Sequence, residues 1–440
     1  MTSPNLLTAS EAAQAIRAGK LSSRALVDAC ISRAEARADD VGAWTYLNPC
    51  IAREQADNCD QAQAEGRDLG PLHGVPVGLK DIIDTADMPT ENGSALFEGR
   101  RPVADGTIAR LLRQAGAVVM GKTVTTEFAL SAPGKTKNPH NPAHTPGGSS
   151  SGSAAAVADH QIPLSVGTQT GGSMIRPASY CGIHGYKPTF GSISRAGMFP
   201  LARPLDHPGI YARSTDDIAL MGDVLMVKDP ADLDMRGHPR GKLADALAET
   251  AGTPPKIAFV RGPMWKDAAP YLEDVMAHAM EQLGAHAQEV EMTGVFDDAL
   301  TCQETVMMAN VQANIGDYCR DHADKVRAET KSRAKSGEGI AADEYIKAIE
   351  FRDTIAAALD RMFDSYDVLI TAGATGEAPK GLESTGNAAF QKMWTLLGVP
   401  TVTLPKLTGP TGLPIGLQVI GRLGHDGDLL RHARWIEEAF

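Results

Sequence analysis

The chain reads as an α/β protein, with layers built around a mixed or parallel sheet. Three observations predict this. Short apolar runs at 75–79, 117–121 and 162–166 alternate with helical patterns at 107–114 and 153–159. The same alternation returns between 368 and 439. The length, 440 residues with 43% hydrophobic and 22% charged side chains, allows a large buried core.

Taken in order, 10–18 and 22–36 read as amphipathic helices, opened by Ser10 and Ser22 as caps for the free N–H groups. A third, polar helix follows at 52–66. The run 75–79 is a strand that ends on Lys80. Residues 228–254 are rich in charge, Gly and Pro, and read as a surface excursion. Strands at 256–260 and 287–290 flank a helix at 271–283. The best helical pattern covers 342–363, where Ile346, Ile349, Ile355, Leu359 and Met362 recur near helical spacing and Asp343 precedes Lys347 by four. Strands at 368–371, 401–404 and 415–420 and helices at 388–397 and 427–439 complete the pattern. The organisation expected is a single domain over 1–440, with a helical, less regular subdomain inserted at about 230–365.

Composition excludes several classes. A net charge of −12 opposes non-specific nucleic-acid binding and offers no basic patch to an anionic membrane. No apolar stretch approaches the roughly 20 residues of a membrane span, and the first residues lack a signal-peptide pattern. The six cysteines are scattered without a Cys-x-x-Cys pair, as expected of reduced thiols in a cytoplasmic protein.

Two Gly–Ser segments carry the chemistry: Pro146-Gly147-Gly148-Ser149-Ser150-Ser151-Gly152-Ser153 and Gly167-Thr168-Gln169-Thr170-Gly171-Gly172-Ser173. A serine is a nucleophile when something takes its proton, and glycines let N–H groups turn toward an oxyanion. Ser173 precedes Met174-Ile175-Arg176-Pro177, where proline favours a helix start. The N–H groups of Thr170, Gly171, Gly172 and Ser173 are thus candidates for an oxyanion hole. A glycine-rich turn with a capping serine is the plainer reading. Lys80 has two readings as well. Turned to water it is an ordinary surface cation; buried, it loses its proton easily and becomes a base. Asp81, if close, would oppose that loss.

These segments, with Gly78-Leu79-Lys80-Asp81, resemble the amidase signature family, of the small-amide amidase type. Ser173 lies 24 residues after Ser149, as in that family. The likeness continues through Tyr180-Cys181-Gly182, Gly185-Tyr186-Lys187-Pro188-Thr189, Gly398-Val399-Pro400 and 412–418, and is weakest between 228 and 365. It implies the amidase-signature fold, a mixed central β-sheet covered by helices on both sides. It also implies a Ser–cis-Ser–Lys triad, with Ser173 as nucleophile, Ser149 as bridging serine on a cis peptide, and Lys80 as base. No cofactor or metal is implied, and a homodimer would be in keeping with the family. Two departures stand out. Many members carry Asp where Gln169 stands, and the arginine usually two residues after the nucleophile is displaced to Arg176. This form points toward a small-molecule amidase rather than the tRNA-dependent amidotransferase branch. Arg176 either holds a substrate carboxylate or forms a buried ion pair with Asp81 or Asp84.

Rival readings fit less well. Gly148-Ser149-Ser150-Ser151-Gly152 satisfies Gly-x-Ser-x-Gly, with Ser150 as nucleophile, but three prolines precede it where a strand is required. A phosphate-binding loop lacks its Gly-Lys-Ser/Thr. His140 and His144 have zinc-like spacing but no third ligand. Tyr180, Met393 and Trp394 fit a core as well as a pocket. The expectation is an amidohydrolase acting on a small amide, with an amidase-type subunit of a larger complex as the alternative.

Overall fold

The computed structural model describes residues 3–235, 242–249 and 254–440. Eleven strands form one sheet among these residues. They are β1 (Trp44–Leu47), β2 (Pro76–Lys80), β3 (Val118–Thr123), β4 (Leu164–Gln169), β5 (His184–Lys187), β6 (His207–Ala212), β7 (Ile257–Arg261), β8 (Ala287–Glu291), β9 (Val368–Ala372), β10 (Thr401–Thr408) and β11 (Pro414–Ile420). Their order is β1-β3-β2-β4-β6-β5-β10-β11-β9-β7-β8. The sheet is mixed, as the resemblance implies. β2 runs parallel to β3 and β4, and β7 parallel to β8 and β9, while the pairs between these groups are antiparallel.

Helices cover both faces. Successive side chains of a strand point to opposite faces, and those of β3 divide accordingly. Val118 and Met120 join one apolar cluster with Leu26, Val27 and Val157, whereas Val119 joins another with Leu79, Leu112 and Leu164. β2 lies between two parallel neighbours and is buried from end to end, which is why 75–79 reads as an unbroken apolar run.

Several expectations need correction. The first helix is Ala9–Arg17, and Thr8 caps it in a box with Glu11; Ser10 bonds to Asp217 instead. Ser22 caps Ser23–Ala36 as expected. Strands β1, β5 and β6 escaped the sequence reading. So did the longest helix among the described residues, Ala299–Asp321, whose buried face sets Gln303 and Gly316 among Cys302, Val306, Met307, Met308, Val311 and Ile315. On Ala342–Met362, Ile355 and Leu359 are buried but Ile346 is 54% exposed. The 228–254 excursion lies partly outside the described residues, at 236–241 and 250–253. Its described part is anchored. Asp229 accepts bonds from Thr107 and Ser194, Asp232 pairs with Arg195, and Met235, Leu243 and Leu247 are buried.

Gly152 is fixed by close approach. A Cβ there would lie 2.1 Å from the Ala43 carbonyl oxygen and 2.4 Å from the Val124 nitrogen. Both are backbone atoms, joined to one another by a hydrogen bond, so neither can give way alone. Gly152→Ala is expected to cost more than about 2 kcal/mol, measured as a lowered denaturant midpoint at unchanged slope.

Candidate active site

Lys80 ends β2 with its side chain fully buried. Its Nζ lies 2.7 Å from Ser149 Oγ and 2.7 Å from Thr168 Oγ1. Parallel pairing creates this arrangement: Leu79 sits beside Val166 in the β2–β4 register, so the next residue reaches the end of β4 where Thr168 stands. Burial drives the Lys80 pKa well below its ordinary 10.5, and the nearby Asp206 carboxylate offsets only part of this. Asp81 plays no such part. Its field acts on Lys122, whose ammonium donates to the Ile83 carbonyl and to Thr90.

The peptide between Gly148 and Ser149 is cis. The segment that holds it is bonded to the second Gly–Ser segment at several points. Ser150 Oγ donates to the Thr168 carbonyl and accepts from the Thr168 N–H, both at 3.1 Å. With its hydroxyl committed to the β4 backbone, Ser150 is placed unlike an exposed nucleophile. Arg176 Nη2 donates to the Gly148 carbonyl at 2.6 Å.

Ser173 follows β4 and precedes the helix Ile175–Cys181. It retains 7% exposure, against 0% for Lys80 and 1% for Ser149, so any substrate must arrive on the Ser173 side. Among the described residues, the N–H groups of Thr170, Gly171, Gly172 and Ser173 donate to no backbone carbonyl. The next two N–H groups, of Met174 and Ile175, both go to Gln169 Oε1, at 2.8 and 3.1 Å. The departure at Gln169 is therefore a neutral cap on this helix. Its Nε2 also donates to Thr395 Oγ1 at 2.9 Å.

Arg176 meets neither an Asp81 nor an Asp84 partner. Asp84 is bound by Arg100 at 2.8 and 3.0 Å, and Asp81 faces Lys122. The guanidinium is buried, and besides Gly148 it donates to the Gly386 carbonyl at 3.1 Å and to Thr385 Oγ1 at 3.2 Å. At this position on the helix its partners are two carbonyls and a hydroxyl, with no carboxylate among them. His140 and His144 bond separately to the Cys181 and Ala378 carbonyls. Tyr180, Met393 and Trp394 are fully buried in apolar clusters. The sequence reading missed Thr168, Asp206, Gln303, Thr395 and Tyr211, all of which touch the site's loops. Only Thr168 lay inside a motif already singled out.

No helix among the described residues is long and apolar enough to cross a membrane. A family model described as Amidase matches residues 25–430. A glutamyl-tRNA(Gln) amidotransferase subunit from Synechococcus sp. (strain CC9605) is 33% identical, over 98% of this chain and 96% of its own. Its counterpart from Chloroflexus aggregans is also 33% identical, over 98% and 96%. Among solved structures, a chain of a vestigial protein complex bearing on the origins of an s-triazine catabolic enzyme superposes with TM-score 0.91 at 26% identity, covering 98% of each chain. The peptide amidase of Stenotrophomonas maltophilia gives 0.86 at 27%, covering 98% of this chain and 96% of its own.

Arg176 donates to the Gly148 and Gly386 carbonyls and to Thr385, which ties it to the peptide that precedes Ser149. Arg176→Ala is expected to lower turnover of acidic and neutral amides alike, by up to about 100-fold. A KM increase confined to acidic amides would return the guanidinium to the substrate.

Proposed function

The chain belongs to the amidase family, and from that premise we propose that it hydrolyses the C–N bond of a small amide through an acyl-enzyme on Ser173, with Ser149 and Lys80 as the proton relay. The observation that carries this is the buried Lys80 amine, 2.7 Å from the Ser149 hydroxyl and held below its ordinary pKa by desolvation. A neutral amine has one lone pair and two N–H groups. It accepts the Ser149 proton on the lone pair and donates to Thr168 Oγ1.

Ser173 Oγ attacks the amide carbonyl carbon. Its proton passes to Ser149 Oγ as the Ser149 proton passes to Lys80 Nζ. The carbonyl oxygen becomes an oxyanion, met by the N–H groups of the 170–173 loop. Collapse of the tetrahedral intermediate breaks the C–N bond, and the relay runs backward to protonate the leaving nitrogen. Water then attacks the ester on Ser173 through the same two groups, which restores the serine. With Arg176 engaged by backbone, nothing in this reading requires a carboxylate on the substrate.

A second reading is favoured by the relatives' names: an amidase-type subunit of an amide-transferring or multi-subunit assembly. Gln169 and the displaced Arg176 set this chain apart from the usual motif and support the small-amide reading. Turnover of simple amides by the purified chain alone separates the two; activity that appears only with a co-purified partner would establish the second.

A fluorophosphonate is expected to add one phosphonyl group, located by peptide mass at Ser173; modification at Ser150 instead would overturn the assignment. Because the base must be unprotonated, kcat/KM is expected to rise with pH through the depressed Lys80 pKa and to level off well below 10.5. Lys80→Ala should remove that limb and about 100- to 10,000-fold of the rate.

A further inference from the structure

The loop from Thr170 to Ser173 is held by its carbonyl groups. Gln303 Nε2 donates to the Thr170 carbonyl at 3.1 Å. Thr395 Oγ1 donates to the Gly171 carbonyl at 2.7 Å. The Arg176 N–H donates to the Gly172 carbonyl at 3.1 Å, and Tyr211 Oη to the Ser173 carbonyl at 3.0 Å. Every carbonyl in the loop thus has a donor outside it, while the four N–H groups have no backbone acceptor among the described residues.

Peptide geometry turns this into a statement about direction. In a planar trans peptide, the C=O of one residue and the N–H of the next point opposite ways. Fixing the Thr170 carbonyl fixes the N–H of Gly171, and fixing the Gly171 carbonyl fixes the N–H of Gly172. The Arg176 bond does the same for the N–H of Ser173. The fourth case shows the rule at work: Tyr211 holds the Ser173 carbonyl, and the Met174 N–H on that peptide points away, to Gln169 Oε1.

We infer that Gln303 and Thr395 are positioning residues that aim the N–H groups of Gly171 and Gly172 at the substrate's carbonyl oxygen. The inference rests on the acyl-enzyme reading above. Both residues come from helices outside the Gly–Ser segments, Ala299–Asp321 and Ala389–Leu396. An ion pair ties these helices together, Lys392 Nζ to Glu304 Oε2 at 2.7 Å, one residue after Gln303 and about one turn before Thr395. Gln303 and Thr395 are themselves completely buried. The second helix and the residue before it also press on Gly172: a Cβ there would lie 2.6 Å from Gln391 Oε1 and 2.9 Å from Ala388 Cβ. The loop cannot rotate its peptides without losing these bonds.

The phosphonyl oxygen of a fluorophosphonate occupies the place of the oxyanion, so the second-order rate of Ser173 labelling reads the aim of the N–H groups without knowledge of the natural substrate. Thr395→Val and Gln303→Met remove each donor at nearly constant volume. Each is expected to slow labelling about 10- to 100-fold, somewhat less than loss of a whole donor. On any amide that the enzyme turns over, kcat should fall by a similar factor with KM nearly unchanged. Thr395→Ser keeps the hydroxyl and should restore most of the rate. Labelling of Thr395→Val at the wild-type rate, or Thr395→Ser as slow as Thr395→Val, would overturn the role of Thr395; wild-type labelling of Gln303→Met would overturn that of Gln303. A raised KM at constant kcat would do the same for either. If Gln303→Met does not fold, Gln303→Leu, which also lacks the donor, is read in its place. Failure of the unaltered protein to label at Ser173 is a different result: it removes the acyl-enzyme reading, and this inference with it.

Discussion

A lysine with no exposed surface and no carboxylate within bonding distance is the constraint on which the rest of the site depends. Charging such an amine costs several kcal/mol, so burial away from water pushes the Lys80 pKa well below its ordinary value. The one nearby carboxylate, Asp206, is already occupied. It accepts from Thr170 Oγ1 at 2.6 Å and from the Leu201 and Ala202 N–H groups at 3.0 Å. Burial alone does not make a base, however. Lys122 and Lys187 are fully buried too, and Lys187 is pushed down to about 7. Lys187 donates to the carbonyls of Pro188 and Val399, which have no proton to give. Lys122 donates to the Ile83 carbonyl and to Thr90, whose own hydroxyl proton is turned to that same carbonyl. Lys80 instead meets two hydroxyls, and one belongs to Ser149. The identity of the partners, rather than the depth of burial, separates the candidate base from two structural lysines.

The sheet brings these groups together. β2 and β4 are parallel neighbours, so their C-terminal ends, carrying Lys80 and Thr168, open on the same side. Loops that leave the carboxyl ends of parallel strands are where open α/β sheets bind ligands. The loop after β4 carries Ser173, and the Gly147–Ser150 turn is tied to the same edge through Ser150 and Thr168. β6 then runs antiparallel to β4 and contributes Tyr211, which holds the Ser173 carbonyl.

Motif-bearing parts of the site were legible in the sequence because glycine, serine and proline at fixed spacing specify backbone geometry. Whether Lys80 was buried was not legible, since a lysine at a strand end turns either way and tertiary contacts decide. The partner of Arg176 was equally hidden: shifting a side chain by one position on a helix rotates it by about 100°. Among the larger elements, Ala299–Asp321 was overlooked for a physical reason. Its inner face interrupts the apolar positions Val306, Val311 and Ile315 with the amide of Gln303 and with Gly316, which weakens the stripe. The clearer pattern at 342–362 includes Ile346, which faces solvent. β5 and β6 begin on buried histidines and both contain glycine, β6 a proline as well, residues that ordinarily argue against strands.

Gln169 shows how one departure from a family pattern reorganises its surroundings. The amide oxygen accepts N–H bonds from Met174 and Ile175; an ionised carboxylate is an acceptor only and has nothing to donate. The amide has both functions. Its Nε2 donates to Thr395 Oγ1, which occupies a lone pair of that hydroxyl and leaves its single proton for a carbonyl. The Gly171 carbonyl lies 2.7 Å away and the Gln391 carbonyl 3.0 Å, so the shorter bond leads into the loop before Ser173. Bonds in such a chain polarise one another in the same sense. The neutral residue also adds no negative charge beside the 170–173 loop. Through its two amide functions Gln169 thus couples the helix after Ser173 to the helix that bears Thr395, and it brings no charge of its own.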